Sequence, residues 1–460
     1  MRTKHGIRAG AAFAVLALTA GCLSREQRAA QSDAQELHTA VHRLSSVIVY
    51  DIMSPPQSSR VYAYASVAAY ETLRQGHRGY QSLAGQLRDL GPVPGPESGV
   101  EYDWPVAGVE AFMTVGRALI FSQQRMDSLR SVMQQEARGR GVTASVLERS
   151  IAYGDRVAEH ILAWSRKDNY LQTRGYPKFT VTTVAGRWVP TPPAYMDAVE
   201  ANWRVLRPFV LDSAAQFRPP PPVAFDTTPG SPFYRQAKEV YDTRRELSEE
   251  QRAIASFWDC NPYVMNVQGH AMFATKKISP GGHWMGIIGL ASRRANADLM
   301  KSAEAYARGS ITMADAFIST WDEKYRSAVV RPETMINKYI DERWEPLLQT
   351  PPFPEYPSGH SVVSTAVAAV LTDEFGPNFA FADSAEVEYG LPVRNFASFD
   401  AAAREASISR LYGGIHYRPA IERGQDLGQR VGTLVLARVH TRQRVSLNRR
   451  TRVEVATRRP

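Results

Sequence analysis

Apolar residues recur with helical spacing over most of the chain. From His38 to Arg74 they repeat about every 3.6 residues, with an interruption near Ser54-Pro55-Pro56, where proline removes a backbone donor. Alternating patterns typical of strands are few and short, and no internal repeat of fixed period occurs. We predict an all-α protein built from helical bundles. The later segments with the helical pattern are residues 105–137, 142–166, 236–258, 295–318, 359–375, 400–412 and 419–440.

One interval breaks this pattern. Residues 167–235 are rich in proline, threonine and aromatic side chains, which predicts a long irregular excursion. We expect an N-terminal bundle over residues 38–250 that contains the excursion, and a C-terminal bundle over residues 251–440. A polar tether is predicted for residues 22–37, and an Arg-rich, solvated tail for residues 441–460.

The start of the chain has the features of a bacterial lipoprotein leader. A positively charged start precedes the apolar residues 11–20, and Cys22 ends a Leu-Thr-Ala-Gly-Cys sequence that resembles a lipobox. This apolar run is shorter than the ~20 residues that a membrane-spanning helix needs, and no other run is long enough. We therefore expect residues 1–21 to be a cleaved signal peptide and Cys22 to be lipidated in the cell envelope. Leu23 favours the outer membrane by resemblance to sorting rules. The alternative is a plain secretory signal with a chance cysteine.

Composition adds few functional clues. The 460 residues are 44% apolar and 22% charged, as in ordinary globular proteins. The formal charge of +9 is concentrated in the leader and in the end of the chain after Ala437, and no nucleic-acid-binding motif is present, so a nucleic-acid partner is not expected. The cysteines are Cys22 and Cys260, and lipidation of the first would leave no intramolecular disulfide. We expect Cys260, within an apolar run, to be a buried, unreactive thiol with no base nearby.

Three short motifs towards the C-terminal end carry the candidate chemistry. Together they supply three cations, a hydroxyl, a backbone N–H without a Cβ beside it, and two imidazoles. No structural requirement explains this set, but a bound tetrahedral oxyanion does. The motifs are Lys324-x6-Arg331-Pro332, Pro357-Ser358-Gly359-His360 and Ser409-Arg410-x3-Gly414-x-His416.

The spacing of the first two motifs suits an anion. Lys324 and Arg331 are nearly two helical turns apart, so on one helix they would point to the same side, and Pro332 would mark the end of that helix. Ser358 and Gly359 precede an amphipathic run, and a helix N-terminus presents unpaired N–H groups and a partial positive charge. Taken alone, each motif also fits a plainer interpretation, a solvated charged face or a serine cap.

The third motif brings a further cation and a histidine. Arg410 falls in the last turn of the predicted helix 400–412, and the glycines that follow end it. His416 then lies on a tight link just before Pro419, although a half-exposed turn histidine is the plainer interpretation. Two cations 4–5 Å apart repel by roughly 3–4 kcal/mol at an effective dielectric constant of about 20, which a di- or trivalent anion would offset. The motifs jointly predict an oxyanion site.

In this order and spacing the motifs resemble the type 2 phosphatidic acid phosphatase superfamily, which joins vanadium-dependent haloperoxidases to acid and lipid phosphatases. The segments 321–324, 351–360 and 51–56 are similar to the soluble haloperoxidase branch, and the resemblance extends over roughly residues 38 to 440. It implies an all-helical fold of bundles without transmembrane spans. It also implies a vanadate cofactor, with phosphate as a competing oxyanion.

The resemblance implies a role for each residue around the oxyanion. Lys324, Arg331 and Arg410 would neutralise the equatorial oxygens of vanadate. The hydroxyl of Ser358 and the N–H of Gly359 would donate hydrogen bonds to them.

The histidines and two aromatic residues complete the set that the resemblance implies. His416 would be the metal ligand through a ring nitrogen, and His360 the acid–base group beside the apical oxygen. Trp321 and Phe353 match aromatic positions near the halide site, although ordinary core packing explains them equally well.

One position departs from the superfamily pattern. An aspartate often follows the ligand histidine by four residues and orients its ring, but this chain has Ala420 there. A backbone carbonyl or Asp426 could take over that task. A second patch, Gly269-His270 and Gly282-His283-Trp284, is expected to be structural.

The expected activity is that of a vanadate-dependent haloperoxidase, which oxidises halide with hydrogen peroxide to a hypohalous equivalent. An acid phosphatase that hydrolyses a phosphate ester through a phosphohistidine on His416 is the first alternative. A non-catalytic oxyanion-binding lipoprotein is the second. The halide, the phosphate ester, the organic acceptor and the oligomeric state stay open, a homo-oligomer included.

Overall fold

A computed structural model describes residues 25–443, so the predicted signal peptide 1–21, Cys22 and the tail residues 444–460 lie outside the described residues. Helices dominate this range, as predicted, and none of them is long and apolar enough to cross a membrane. The α-helices are α1 (Arg25–Tyr50), α2 (Pro55–Leu73), α3 (Trp104–Ala118), α4 (Gln124–Gly139), α5 (Ala144–Ser165), α6 (Tyr170–Thr173), α7 (Pro232–Glu246), α8 (Glu249–Phe257), α9 (Pro280–Arg294), α10 (Leu299–Ser327), α11 (Pro332–Tyr339), α12 (Gly359–Phe375), α13 (Phe399–Tyr412) and α14 (Arg418–Arg438). The strands β1 (Val264–Gln268) and β2 (Ala271–Thr275), and β3 (Phe381–Asp383) and β4 (Arg394–Phe396), form two antiparallel pairs.

Several predicted helices have different bounds in the structure. Helices α12, α13 and α14 match their predicted segments closely, and the predicted tether is helical from Arg25 onwards. The segment 105–137 divides into α3 and α4, because the carboxylate of Asp51 accepts the backbone N–H groups of Phe121 and Ser122 and holds a turn there. The segment 236–258 divides into α7 and α8, since Ser248 forms a capping box that starts a new helix.

Two long helices, α2 and α10, form the centre of the protein. Nearly all residues of α2 are buried, and α10 is buried continuously from Ser302 to Lys324. The largest hydrophobic cluster contains residues from Ala34 to Val439 and therefore crosses the predicted boundary near residue 250. The division into two bundles stays a prediction.

The excursion over residues 167–235 lies against the central helices. Apart from α6, a short 3-10 helix at Trp203–Val205 and the start of α7, it is irregular, as predicted. The buried carboxylate of Asp315 accepts three successive backbone N–H groups, those of residues 209–211, at 2.7–2.9 Å. The carbonyl of Val199 accepts the indole N–H of Trp321 at 3.2 Å. Hydrogen bonds to buried polar side chains of α10 thus hold this irregular segment in place.

The beginning of the predicted tail is packed rather than solvated. The guanidinium of Arg442 lies 2.7 Å from the carboxylate of Glu304 and stacks on the ring of Tyr80. The hydroxyl of Thr441 also donates to Glu304. These contacts attach the chain beyond α14 to helix α10 and to Tyr80.

Glycines on α14 allow it to pack closely on α12. Gly424, Gly428 and Gly432 are four residues apart and share one face, and a Cβ at Gly428 would lie 2.4 Å from the carbonyl oxygen of Val362. A Cβ at Gly424 would lie 2.9 Å from the carbonyl oxygen of Ser358. This seam therefore fixes the start of α12 against α14, where the second and third motifs meet.

We predict that Gly428→Ala destabilises the protein, although alanine is the better helix former by about 1 kcal/mol. The added methyl would collide with backbone, and overpacking of this kind costs about 1–3 kcal/mol. The control is Gly139→Ala at the end of α4, where a Cβ would meet no atom within 4 Å. Urea denaturation measures both. An equal or higher free energy of unfolding for Gly428→Ala would contradict the close contact.

Candidate active site

The fold brings the three motifs close together. Gly359, His360, Arg410 and His416 line one narrow cavity, whereas Lys324, Arg331 and Ser358 are not among its lining residues. Lys324 lies in the last turns of α10, His360 in the first turn of α12, Arg410 in the last turn of α13, and His416 on the link to α14. The cavity wall also includes apolar residues, which keep water away from the polar groups. The lining residues are Pro55, Cys260, Asn261, Pro262, Pro280, Phe317, Trp321, Pro351, Phe353, Gly359, His360, Arg410, Ile415 and His416.

Lys324 and Arg331 do not share a helix, so that part of the prediction is wrong. Helix α10 ends at Ser327, and Ala328 follows in the left-handed conformation at φ 46°. Arg331 is the N-cap residue of α11, and Pro332 begins that helix instead of ending the previous one. The two cations still converge because the chain turns back between the helices.

Backbone carbonyl groups hold the cations in place. The ammonium of Lys324 donates to the carbonyls of Pro354, Glu355 and Pro357 at 2.7–3.0 Å, which uses all three of its protons. In this arrangement Lys324 would act on an anion through its charge. It also fixes the segment that leads into α12.

The two guanidinium groups are bound in the same way. Arg331 donates from Nε to the carbonyl of Phe353 at 2.8 Å and from Nη1 to that of Ile415 at 2.9 Å, and its Nη2 is buried without a partner. Arg410 donates from Nη2 to the carbonyl of Trp258 at 2.6 Å. Neither of them, nor Lys324, forms an ion pair with a carboxylate of the described residues.

Burial of these positive charges is unfavourable without an anion. Lys324, Arg331 and Arg410 are at most 1% exposed. Burial, with Arg331 nearby, holds the pKa of Lys324 well below its usual value, while burial lowers the pKa of Arg331 to about 10 and also lowers that of Arg410. An anion in the cavity would reverse these shifts, because an opposite charge favours the protonated form.

A buried carboxylate, which the sequence analysis missed, orients His416. Oε1 of Glu355 lies 2.8 Å from Nδ1 of His416 and accepts the N–H of Tyr417 at 3.0 Å. Neither a backbone carbonyl nor Asp426, which were the two expected alternatives, orients the ring. Nδ1 of His416 contacts the side chain of Glu355, and Asp426 pairs with Arg423 at the surface.

The contact with Glu355 determines which nitrogen of His416 carries the lone pair. With its Nδ1 proton donated to the carboxylate, the ring has its lone pair on Nε2, which accepts a hydrogen bond from Nη1 of Arg331 at 3.1 Å. A metal bound to Nε2 would replace this hydrogen bond. Burial and the neighbouring cations, Arg331 first, keep the pKa of His416 well below its usual value, so the ring is neutral. Burial raises the pKa of Glu355 to about 7, although Arg331 and Lys324 act against that rise.

His360 has one ring nitrogen with a hydrogen-bond partner and one without. Its ring forms a hydrogen bond with the backbone of Trp258, and its Nε2 is buried without a partner. Burial, with the charge of Arg410, holds its pKa well below the usual value. His360 is therefore neutral and has one ring nitrogen without a hydrogen-bond partner among the described residues.

The start of α12 provides the remaining predicted contacts. Oγ of Ser358 accepts hydrogen bonds from the N–H and hydroxyl of Ser361, which leaves its own hydroxyl proton to donate elsewhere. Gly359 is the first residue of the helix, where an N–H has no partner within the helix. Ser358 caps the helix and does not belong to the cavity wall.

Trp321 and Phe353 lie side by side in the cavity wall, with ring centroids 5.0 Å apart. The ring of Phe353 also lies 5.2 Å from the ammonium of Lys324 and 5.1 Å from the guanidinium of Arg331. The two aromatic residues thus cover the cations and face the cavity. Both also belong to the largest hydrophobic cluster.

The second patch divides between the surface and the interior. His270 is exposed in the turn between β1 and β2, whereas His283 is buried in α9 and does not line the cavity. Cys260 is buried, as predicted, but the expectation of no base nearby is wrong. Its Sγ lies 3.4 Å from Nδ1 of His283, a contact between residues 23 positions apart.

These residues fit a vanadate ion. Nη2 of Arg331 and Nε2 of His360 are buried polar atoms that lack a partner, and Nε2 of His416 carries a lone pair. Lys324, Arg331 and Arg410 are buried without an ion pair to a carboxylate of the described residues, which suits an oxyanion as the partner of these charges. The neutral imidazole is a suitable ligand for a transition metal.

Comparisons with known proteins indicate the family and the fold of this chain. The family model described as the VCPO second helical-bundle domain matches residues 304–444. The crystal structure of a bacterial vanadium-dependent iodoperoxidase is 51% identical, with a TM-score of 0.85 over 89% of this chain and 97% of that chain. Holo and apo crystal structures of a bacterial vanadium-dependent chloroperoxidase share the fold, with TM-scores of 0.63 and identities of 17% and 18%. These alignments cover 84% and 83% of this chain, and 94% and 93% of those chains. A search of curated proteins gave no match.

The chain belongs to the vanadium-dependent haloperoxidase family. It is a haloperoxidase with vanadate as its cofactor and with hydrogen peroxide and halide as substrates.

We predict that Glu355 controls vanadate affinity through His416. Glu355→Gln retains the acceptor oxygen but not the charge, and Glu355→Ala loses both, so affinity should fall most in Glu355→Ala, by about 10–100-fold. Because the carboxyl has a pKa of about 7, wild-type affinity should be higher above that pH, where the ionised group makes His416 a stronger ligand.

Vanadate-free enzyme is reactivated by added vanadate at about one pH unit below and one pH unit above this pKa. This measurement gives the vanadate affinity of each variant and its change with pH. The affinity of Glu355→Gln should change less across this interval than that of the wild type. Equal affinities for wild type and Glu355→Ala would show that Glu355 does not position the histidine.

Proposed function

We propose that this haloperoxidase oxidises iodide, and that the residues of the three motifs carry out the reaction. The relative of known structure that is 51% identical is an iodoperoxidase, and its alignment covers 97% of that chain. Iodide is also the halide that is most easily oxidised among iodide, bromide and chloride. The observation that supports the assignment of residues is the set of three buried cations without carboxylate partners beside the neutral His416.

The cofactor would be held by charge and by one coordinate bond. Nε2 of His416 would be the protein ligand, and Lys324, Arg331 and Arg410 would balance the charge of the oxygens. The hydroxyl of Ser358 and the N–H of Gly359 would donate hydrogen bonds. When bound, vanadate supplies a Lewis acid that activates hydrogen peroxide for attack by halide.

The protein would contribute proton transfer and exclusion of water. Nε2 of His360 is unprotonated and without a partner, so it can accept a proton from hydrogen peroxide as the peroxide binds and return it to a leaving oxygen. Trp321 and Phe353 would form the apolar side of the halide position. Their rings lower the local dielectric constant, which strengthens the effect of the neighbouring cations.

We predict that the purified protein with vanadate and hydrogen peroxide oxidises iodide with a higher kcat/KM than bromide or chloride. His416→Ala should lose vanadate and activity together, and His360→Ala should retain vanadate while kcat falls by roughly 10²–10⁴-fold, the usual contribution of a proton-transfer group. His270→Ala, which alters an exposed histidine, serves as the control and should behave as wild type.

The same preparation distinguishes the alternative reaction. Hydrolysis of an aryl phosphate that is abolished by His416→Ala and inhibited by vanadate, without turnover of iodide, would overturn the proposed substrate and favour a phosphatase. Preference for bromide over iodide would overturn the halide assignment alone.

We also propose that the enzyme is a lipoprotein of the bacterial outer membrane, attached through Cys22. The support is the lipobox-like sequence before that cysteine and Leu23 after it. Wild-type protein labelled with a radioactive fatty acid should appear in the outer-membrane fraction, and Cys22→Ala should carry no label. Equal release of both forms as soluble protein would contradict the anchor.

A further inference from the structure

A second cluster of chemically reactive side chains lies beside the cavity. Cys260, just after α8, His283 in α9 and Glu386, just after β3, are at most 4% exposed and meet at one point. Sγ of Cys260 lies 3.4 Å from Nδ1 of His283 and 3.6 Å from Oε1 of Glu386, and this oxygen lies 3.0 Å from the same Nδ1. A thiol, an imidazole and a carboxylate thus face one another in the interior.

We propose that Cys260, His283 and Glu386 bind a divalent ion of the zinc class. Zinc forms bonds of about 2.3 Å to sulfur and about 2.0–2.2 Å to nitrogen and oxygen, so a tetrahedral ion holds these ligand atoms about 3.3–3.6 Å apart. The three observed separations lie within a few tenths of an ångström of that range.

The chemistry of the donors favours this ion class. One thiolate, one imidazole and one carboxylate are a borderline-soft set, which suits zinc better than calcium or magnesium, whose ligands are oxygen atoms. Three protein ligands leave the fourth tetrahedral position to water. On binding, the ion takes the place of two protons, one on Sγ of Cys260 and one on Nδ1 of His283. The net charge of the cluster is therefore unchanged.

The carboxylate of Asp383 binds the other ring nitrogen of His283 and orients the ring. Nε2 of His283 donates to Oδ2 of Asp383 at 2.8 Å, and both side chains are fully buried. Metal-binding histidines commonly donate their other ring N–H to a carboxylate in this way, which fixes the tautomer that has its lone pair on the metal side. The ring of Trp258 stacks on the imidazole with centroids 4.6 Å apart.

The cluster lies next to the active site but is not part of the vanadate site. The carbonyl of Trp258 accepts a hydrogen bond from Arg410, and Cys260 follows two residues later and lines the cavity. An ion on Cys260 would join this segment to α9 and to the chain after β3. The ion would thereby position the backbone that holds Arg410.

The test uses the full protein without vanadate, so its outcome does not depend on the proposed halide chemistry. Protein treated with a chelator is given Zn²⁺ or Co²⁺, passed through a desalting column and analysed for metal by mass spectrometry. We expect one equivalent of either ion to be retained. The cobalt form should show a thiolate-to-cobalt charge-transfer band and the visible bands of a tetrahedral ion.

Variants assign the site to these residues. Cys260→Ser should lose the charge-transfer band and Glu386→Gln should lose bound ion, whereas Asp383→Asn should weaken binding by about 10–100-fold. His270→Gln, in the exposed turn, is the matched control and should bind as wild type. If a variant fails to fold, the charge-transfer band of Cys22→Ser still decides, because Cys260 is then the one cysteine left in the sequence.

Two results would overturn the proposal. One is wild-type protein that retains no Zn²⁺ or Co²⁺ and shows no thiolate band, which would mean that protons alone join His283 to Glu386 and Asp383. The other is metal bound equally by wild type and Cys260→Ser, which would place the ion elsewhere.

Discussion

The structure around the cavity depends on keeping three positive charges in the interior with no carboxylate paired to them. Lys324, Arg331 and Arg410 are held by backbone carbonyls, whose partial negative charges reduce the cost of burial but do not cancel it. The carboxylate of Glu355, which lies close to these groups, accepts hydrogen bonds from His416 and Tyr417. The site is therefore complete only with a bound anion, and the fold must provide enough stability elsewhere to tolerate the site without one.

That stability comes from the packing that surrounds the site. Helix α10 is buried over most of its length, and the glycine seam brings α14 against α12 so closely that the backbones touch. The irregular segment 167–235 closes over them, fastened by Asp315 and by bonds to Val199. Rigid helices thus carry the charged groups to their positions, and the loops between them supply the carbonyl groups that orient them.

The sequence predicted which residue types form the site, but it did not predict the contacts between them. The three motifs could be recognised because cations, a helix start and a histidine between glycine and proline point to oxyanion chemistry. The end of α10 between Lys324 and Arg331 could not be predicted, because nothing in the sequence indicates that Ala328 adopts a left-handed conformation. Glu355 was missed because its partner is 61 positions away, although a lone carboxylate inside the Pro351–His360 motif was a usable signal. The pairing of Cys260 with His283 likewise depends on tertiary packing.

Vanadate titration by calorimetry tests the central claim most directly, with wild type compared with Arg331→Met and Arg410→Met, which remove one charge each and keep much of the side-chain volume. We expect one vanadate per chain and an affinity at least about 10-fold lower in each variant, the loss that follows from one hydrogen bond to a charged group. Arg423→Met, which alters a surface residue paired with Asp426, should bind as wild type. Equal affinities for all four proteins would contradict a cage of buried cations completed by an anion.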